Sequence, residues 1–337
     1  YYFISSSDHN TSEQYYFDVD EKKPNPKLIQ KRERGIIYSV NSWDGNFYMH
    51  TNKNAEDFKI EKCSDINSKN WETFIPAKDE TLIGGLTFLK KWILRSEISN
   101  ALGKIFVRNL ETNQEEELIF SDEEVYDGGV SLAQKDRSTD IIYISYSTPK
   151  TQNRVYSYNL KTREKKLVKE QVIPSGHNPD NYIVERLYCV SHDGRKVPLT
   201  ITRHKKTKVN GDAKLLLYGY GSYGNSMSPS FSSTRLSLID RDIIWVTAHV
   251  RGGLERGMKW WKEGKLLNKK NTFKDYIAAA KFLIEKKYTS KGNILGMGGS
   301  AGGLLMGAVV NEAPELFCGI IMAVPFVDSL TTNLDHS

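Results

Sequence analysis

"GMGGSAGGLLMG", residues 296–307, sets Ser300 between two pairs of glycines, directly after the apolar run "NILGM" at 293–297. Either this is a flexible turn leading into a helix, or Ser300 is an activated nucleophile. A bare G-x-S-x-G pattern arises easily by chance in a chain with 25 glycines, so its surroundings decide. Here the order is strand, glycine turn, then the helical run "LLMGAVV", which is the order a nucleophile elbow requires. In such a corner the serine takes a strained backbone conformation. Side chains at positions 298 and 302 would collide with the neighbouring strand and helix, so glycine is needed there. The helix N-terminus behind Ser300 favours developing negative charge. A serine hydroxyl also needs a base, and a tetrahedral oxyanion needs donors. The backbone N–H of Ala301 is the first expected donor, and the second is expected from the loop after the third strand, "LYGYGSYG" at 217–224.

Around this stretch, apolar runs alternate with helical patterns: "KLLLYGY" (214–220), "DIIWVTAHV" (242–250), "NILGM" and "GIIMAV" (319–324). Between them, "NTFKDYIAAAKFLIEKKY" carries a helical stripe of Phe273, Tyr276, Ile277, Ala280, Leu283 and Ile284. An Asn271/Thr272 cap is expected before it, with Asp275 in the first turn. Doubly buried strands alternating with helices predict a mostly parallel α/β sheet. Upstream, "YIVERLYCVSHDGRKVPLTITRH" reads as two strands joined at an Asp193-Gly194 hairpin turn.

The first half has a different pattern. Phe3, Phe47, Trp92 and Ile142 sit in short aromatic-rich strands at separations of 44, 45 and 50 residues. "GKIFVRNLETNQEEELI" from 103 and "NRVYSYNLKTREKKLV" from 153 both run strand, Asn-Leu-x-Thr turn, strand, with Asn109 and Asn159 in equivalent places. A period of this length built from all-β units predicts propeller blades, with a β-sandwich of coincidental spacing as the competing reading. About four units fit before the Pro- and Gly-containing segment "QVIPSGHNPDN" at 171–181. The expected architecture is therefore a partial β-propeller over 1–172, followed by an incomplete α/β-hydrolase domain over 173–337. The chain opens mid-strand on "YYFISSS" without Met, which reads as a cut and predicts an uncovered sheet edge.

Composition narrows the function. The chain has 337 residues, 39% hydrophobic and 26% charged, with 18 Tyr, 13 Phe and 6 Trp, enough for a folded protein with sizeable cores. Its net charge of +6 is scattered or lies in short runs such as 161–169, without a basic helix or aromatic-basic ladder, which argues against nucleic acid as partner. No run is long enough for a membrane span, so no membrane partner is expected. Cys63, Cys189 and Cys318 lack the spacing of a metal site or disulfide framework. Neither a metal nor another cofactor is expected, and a reducing, cytoplasmic location is.

"YGYGSYG" (218–224), "HVRGGLERG" (249–257), "KKNTFKDY" (269–276), "GGSAGGLLMG" (298–307) and "PELFCGIIMAVPFVDSLTTNLD" (314–335) together resemble the prolyl oligopeptidase family of serine peptidases, most of all its oligopeptidase B branch. The resemblance is dense from about 181 onward. It implies a seven-bladed propeller capping an α/β-hydrolase domain that cleaves short peptides, in this branch after Lys or Arg. It also implies Ser300 as nucleophile, with the Tyr220 hydroxyl joining the Ala301 amide in the oxyanion hole.

The sequence departs from the family pattern in three places. After Ser300 come only Glu312, Glu315, Asp328, Asp335 and His336 as candidate acids and base. The resemblance puts the family's acid and histidine further along, so His336 reads as a terminal residue and the chain as inactive on its own. Ser228 and Ser230 stand where the branch carries an acidic pair, which weakens a preference for consecutive basic residues. Leu254 replaces a third glycine in "RGGLE", a change that matters only if φ there is positive. Two alternatives stay open: an esterase or acylaminoacyl hydrolase on the same scaffold, and a non-catalytic remnant that binds a peptide or partner. Exposed sheet edges would suit a complementing polypeptide or self-association.

Overall fold

The computed structural model describes residues 1–68, 70–119, 121–132 and 136–335. Four small sheets come first in the chain. The first is β1 (Tyr2–Ser7), β2 (Ser12–Phe17) and β3 (Lys27–Leu28). The second is β4 (Tyr38–Trp43), β5 (Asn46–Thr51), β6 (Lys59–Cys63) and β7 (Glu72–Ile75). The third is β8 (Thr81–Phe88), β9 (Trp92–Ser99), β10 (Leu102–Asn109) and β11 (Glu115–Glu117). The fourth is β12 (Asp127–Ser131), β13 (Ile141–Ser147), β14 (Arg154–Asn159) and β15 (Lys165–Glu170). Phe47, Trp92 and Ile142 lie on the second strand of their sheets, and Phe3 lies on β1, so the sequence repeat is a repeat of structure.

The turns repeat as closely as the strands. The side-chain oxygen of Asn109 accepts from the amides of Glu111 and Thr112, and that of Asn159 accepts from Lys161 and Thr162. In both turns the fifth residue, Asn113 or Arg163, has positive φ and donates its amide to the first. An Asx side chain bonding its own backbone two residues on is the local force that closes such turns. Within the first two sheets, Tyr16, Tyr38, Val40, Phe47, Met49, Cys63 and Ile66 form one apolar cluster.

A six-stranded sheet follows. It is built from β16 (Tyr182–Val190), β17 (Lys196–His204), β18 (Leu215–Tyr218), β19 (Ile244–Ala248), β20 (Ile294–Gly299) and β21 (Phe317–Ala323), in the order β16-β17-β19-β18-β20-β21. The hairpin β16–β17 turns where expected, with Gly194 at φ +84° and its amide bonded to Ser191 O. β17 pairs antiparallel with β19, while β19, β18, β20 and β21 run parallel to one another. Helices α1 (Ser233–Ile239), α2 (Gly257–Lys262), α3 (Lys270–Glu285), α4 (Ala301–Glu312) and α5 (Ser329–Leu334) complete the region. Ile201, Leu217, Val246, Tyr276, Leu283, Ile294, Leu305 and Val309, all fully buried, belong to the core between sheet and helices. Contacts divide the chain into two compact units: one holds the first three sheets, the other the fourth sheet and the six-stranded one.

The start of α3 differs from the sequence reading. The N-cap of α3 is Lys269, with no side-chain capping bond, because a 3-10 turn at Leu266–Asn268 runs straight into the helix. Thr272, expected near the cap, is buried and donates instead to the carbonyls of Arg251 and Gly264. Asn271 donates to Glu263 O. Tertiary acceptors outcompete the local cap. At Leu254 the backbone φ is not positive, so replacing glycine there strains nothing, and its side chain packs over Gly224.

Candidate active site

The strand order places the site before any side chain is considered. From β18 the chain moves to one side, to β19, and then returns past β18 to β20 on the other side. The carboxyl ends of β18 and β20 therefore flank a topological switch point, the place where open α/β sheets bind ligands. β18 and β20 pair Tyr218 with Met297, and the amide of Gly219 donates to Met297 O at 3.1 Å. The Tyr220 loop leaves one strand and Ser300 follows the other.

Ser300 stands at a sharp corner. It has φ 52° and ψ −117°, between the last residue of β20 and the first of α4. A non-glycine residue there is strained, so surrounding contacts must hold it. They do so on both sides: Ser300 N donates to Ala323 O at 2.9 Å, and Ser300 O accepts from Gly303 N at 2.8 Å and Phe326 N at 2.9 Å. The serine occupies the N-cap position of α4 without using its side chain as a cap, and the residue is exposed. A turn serine serving only the helix would bond its hydroxyl to the first turn. Among the described residues the hydroxyl is unspent.

The glycines around it are required by close backbone approach. A Cβ at Gly298 would lie 2.3 Å from Gly302 O and 3.0 Å from Gly219 O. At Gly302 it would lie 2.9 Å from Gly219 O, and at Gly303 2.4 Å from the Pro325 Cβ. The opposing atoms at Gly298 are backbone and cannot rotate away. Gly298→Ala is therefore expected to lower stability by about 1–3 kcal/mol, as overpacking does. Thermal unfolding measures this, and an alanine variant as stable as the parent would contradict the tight corner.

The first amides of α4 have no intrahelical acceptor, as at any helix start. Among the described residues the Ala301 N–H has no acceptor at all. Tyr220 lies alongside: its Cδ2 and Cα approach the space a Cβ at Gly302 would fill, at 3.4 and 3.5 Å. Ser300, Ala301 and Tyr220 are thus gathered at one end of the sheet.

Of the candidate acids, Asp328, Glu312 and Glu315 are placed elsewhere. Asp328 caps α5, accepting from Thr331 N at 3.0 Å. Glu312 ends α4, roughly 17 Å from its start at 1.5 Å per residue, and Glu315 follows it. Both line a groove of about 760 Å³ with Tyr188, Lys274 and Lys281. Asp335 ends α5, and His336 lies outside the described residues. Among the described residues no histidine or carboxylate hydrogen-bonds the Ser300 hydroxyl. His249 is buried, bonded through Nε2 to Thr200 at 2.8 Å, with Nδ1 3.9 Å from Glu255. Burial holds this imidazole well below its usual value and raises the Glu255 carboxyl to about 7.

Sequence reading missed one network. Arg251 is almost fully buried. Its guanidinium bonds both oxygens of Asp275 at 2.6 and 2.8 Å, bonds Asp193 at 2.5 Å, and lies over the Trp260 ring. Asp275 also accepts from the Ser191 hydroxyl at 2.6 Å and the Arg251 amide at 3.0 Å. The network ties together the β16–β17 turn, the "RGGLE" loop and α3. That loop in turn abuts the Tyr220 loop: Gly252 φ is +106°, and a Cβ there would strike the backbone of Gly221. The only sequence signals were an arginine in a glycine-rich loop and an aspartate on the apolar side of a helix.

A strained serine at the end of a parallel strand, followed by a helix and flanked by an aromatic loop, defines an α/β-hydrolase-type corner. Residues 1–171 match the family model described as prolyl oligopeptidase, N-terminal beta-propeller domain, and residues 229–337 match that of the prolyl oligopeptidase family. The chain belongs to the prolyl oligopeptidase family, as a partial β-propeller followed by an incomplete α/β-hydrolase domain. It is 38% identical to Protease 2 of Moraxella lacunata over 99% of this chain and 48% of that protein. It is 37% identical to dipeptidyl aminopeptidase BI of Pseudoxanthomonas mexicana, over 91% of this chain and 43% of that protein. The solved structure of oligopeptidase B from Trypanosoma brucei with covalently bound antipain, in its closed form, superposes with a TM-score of 0.91 at 32% identity, covering 99% of this chain and 49% of the other. The chain spans about half the length of the relatives it matches. Among the described residues no helix is long and apolar enough to cross a membrane.

Proposed function

We propose that this chain carries the nucleophile and oxyanion hole of a serine oligopeptidase of the oligopeptidase B kind, acting on short peptides after Lys or Arg. Ser300 Oγ attacks the scissile carbonyl while a histidine, oriented by an aspartate, takes its proton. The oxyanion is stabilised by the Ala301 N–H and the Tyr220 hydroxyl, the amine leaves protonated, and water hydrolyses the acyl-enzyme. The acid and base come from outside residues 1–337, so the chain alone has negligible activity. The boundary between propeller and hydrolase domains is proposed at 172/173, between the last strand of the fourth sheet and the start of β16. The outer edge of β21, with Ile321 and Met322 exposed, would receive a complementing polypeptide or a second copy. Free Cys63, Cys189 and Cys318 accord with a reducing, cytoplasmic setting.

One observation carries this reading: an exposed serine in a strained corner at the switch point, its hydroxyl not spent on capping the helix behind it. The test is labelling with a fluorophosphonate, followed by mapping of the adduct. The native gene product is expected to carry the adduct on the peptide containing Ser300, and residues 1–337 expressed alone to react more slowly by ~10³-fold or more, as loss of the base implies. Equal labelling of both would overturn the missing base; an adduct elsewhere would overturn the nucleophile.

A further inference from the structure

Lys269 is in a costly place. It caps the N-terminus of the 16-residue helix α3, where the helix dipole disfavours a cation. It is partly buried, and burial pushes its ammonium down to about 8. Among the described residues no carboxylate lies within ion-pair distance of it. Neither local helix energetics nor an ion pair accounts for a lysine here. Its contacts do: Nζ donates to Gly221 O at 2.5 Å and to Ser222 Oγ at 2.8 Å. These are the two residues that follow Tyr220.

The loop around Tyr220 is held on its other sides. Before it, Gly219 N bonds Met297 O, and a Cβ at Gly219 would collide with the Tyr276 ring at 2.9 Å. After it, Gly224 N bonds Gly252 O at 2.9 Å. Between these anchors Gly221 turns with φ +68°, pressed against Thr272, Val250 and Arg251 O. One residue past Tyr220, the carbonyl of the Gly221–Ser222 peptide is the one that Lys269 binds.

We propose that Lys269 is the positioning residue for Tyr220: its ammonium clamps the Gly221 carbonyl and the Ser222 hydroxyl and so fixes the loop that presents the tyrosine beside the Ser300 corner. This rests on the reading of Ser300 and Tyr220 given above. A positioning group acts through its client, so its removal matters only while the client is present.

The test is a double-mutant cycle on the native gene product, following hydrolysis of a short peptide with a lysine before the scissile bond. Lys269→Met keeps the stem and removes the donors. It is expected to lower kcat about tenfold with KM within about twofold, the pattern of an interaction expressed in the transition state. In the Tyr220→Phe background the same change is expected to cost less than about twofold. Lys269→Arg, which keeps donors and charge, is expected to recover part of the loss. If Lys269→Met does not fold, Ser222→Ala removes one clamped group and is expected to show a smaller kcat loss that also vanishes with Tyr220→Phe. Equal losses in both backgrounds, or a kcat within twofold of the parent, overturn the inference alone. Turnover that persists in Ser300→Ala, or no Ser300-dependent turnover at all, overturns the serine peptidase reading and this inference with it.

Discussion

Ser300→Ala is expected to lower kcat of the native gene product on a lysine-containing peptide by roughly 10⁴- to 10⁶-fold, with KM nearly unchanged. The size follows from chemistry. On the proposed mechanism, removing the hydroxyl removes covalent catalysis altogether, and what is left comes from substrate binding and oxyanion donors that no longer have an oxyanion of that kind to bind. The small change in KM follows from geometry. Ser300 is exposed, its side chain makes no capping bond, and its backbone is held by Ala323, Gly303 and Phe326 whatever the side chain. Alanine adds no strain that serine did not already carry at φ 52°, so the corner should persist. A variant that keeps more than a tenth of the parent turnover would remove Ser300 from the mechanism. A large rise in KM at constant kcat would make it a binding residue.

Asp275→Ala is expected to destabilise the second compact unit by about 3–5 kcal/mol, the loss seen when one partner of a buried ion pair is removed. Asp275 is fully buried and accepts four hydrogen bonds, three from Arg251 and one from Ser191. Without it the Arg251 guanidinium stays buried against Trp260 with Asp193 and, at 3.8 Å, Glu263 as charged partners, both partly exposed. Asp275→Asn keeps shape and some hydrogen bonds and should lose less. Replacing both, as Arg251→Met with Asp275→Leu, should recover much of the stability, because a well-packed apolar pair avoids the desolvation of two charges. Urea unfolding of the native gene product measures all three. A loss under 1 kcal/mol for Asp275→Ala would mean that water or a neighbouring group takes over the arginine. Because this network also holds the "RGGLE" loop against the Tyr220 loop, Asp275→Ala should slow Ser300 labelling even at temperatures where the protein remains folded.

Much of this architecture was legible from local pattern. The Asn109 and Asn159 turns close through bonds between an asparagine and the residues just after it, so their sequences suffice to announce them. The corner at Ser300 was equally readable: an apolar strand, glycines where backbones meet, and a helix all lie within twenty residues. The helical stripe of α3 was found, but its start was not. Thr272 had a local cap and two distant carbonyls to choose between, and nothing in the sequence ranks them.

What the amino-acid order determines alone is the succession of small β-units, the change to alternating strands and helices near residue 180, and a serine at a glycine-lined bend. Strand and helix periods and turn chemistry act over a few residues, so they are written where they act. The tertiary structure alone decides that β18 lies between β19 and β20, that Tyr220 arrives beside Gly302, and that Arg251, Asp275 and Asp193 meet although they are 24 and 58 residues apart. Those choices depend on which distant surfaces bury each other best, and a buried charge or a clamped carbonyl acquires its partner only after the chain has closed around it.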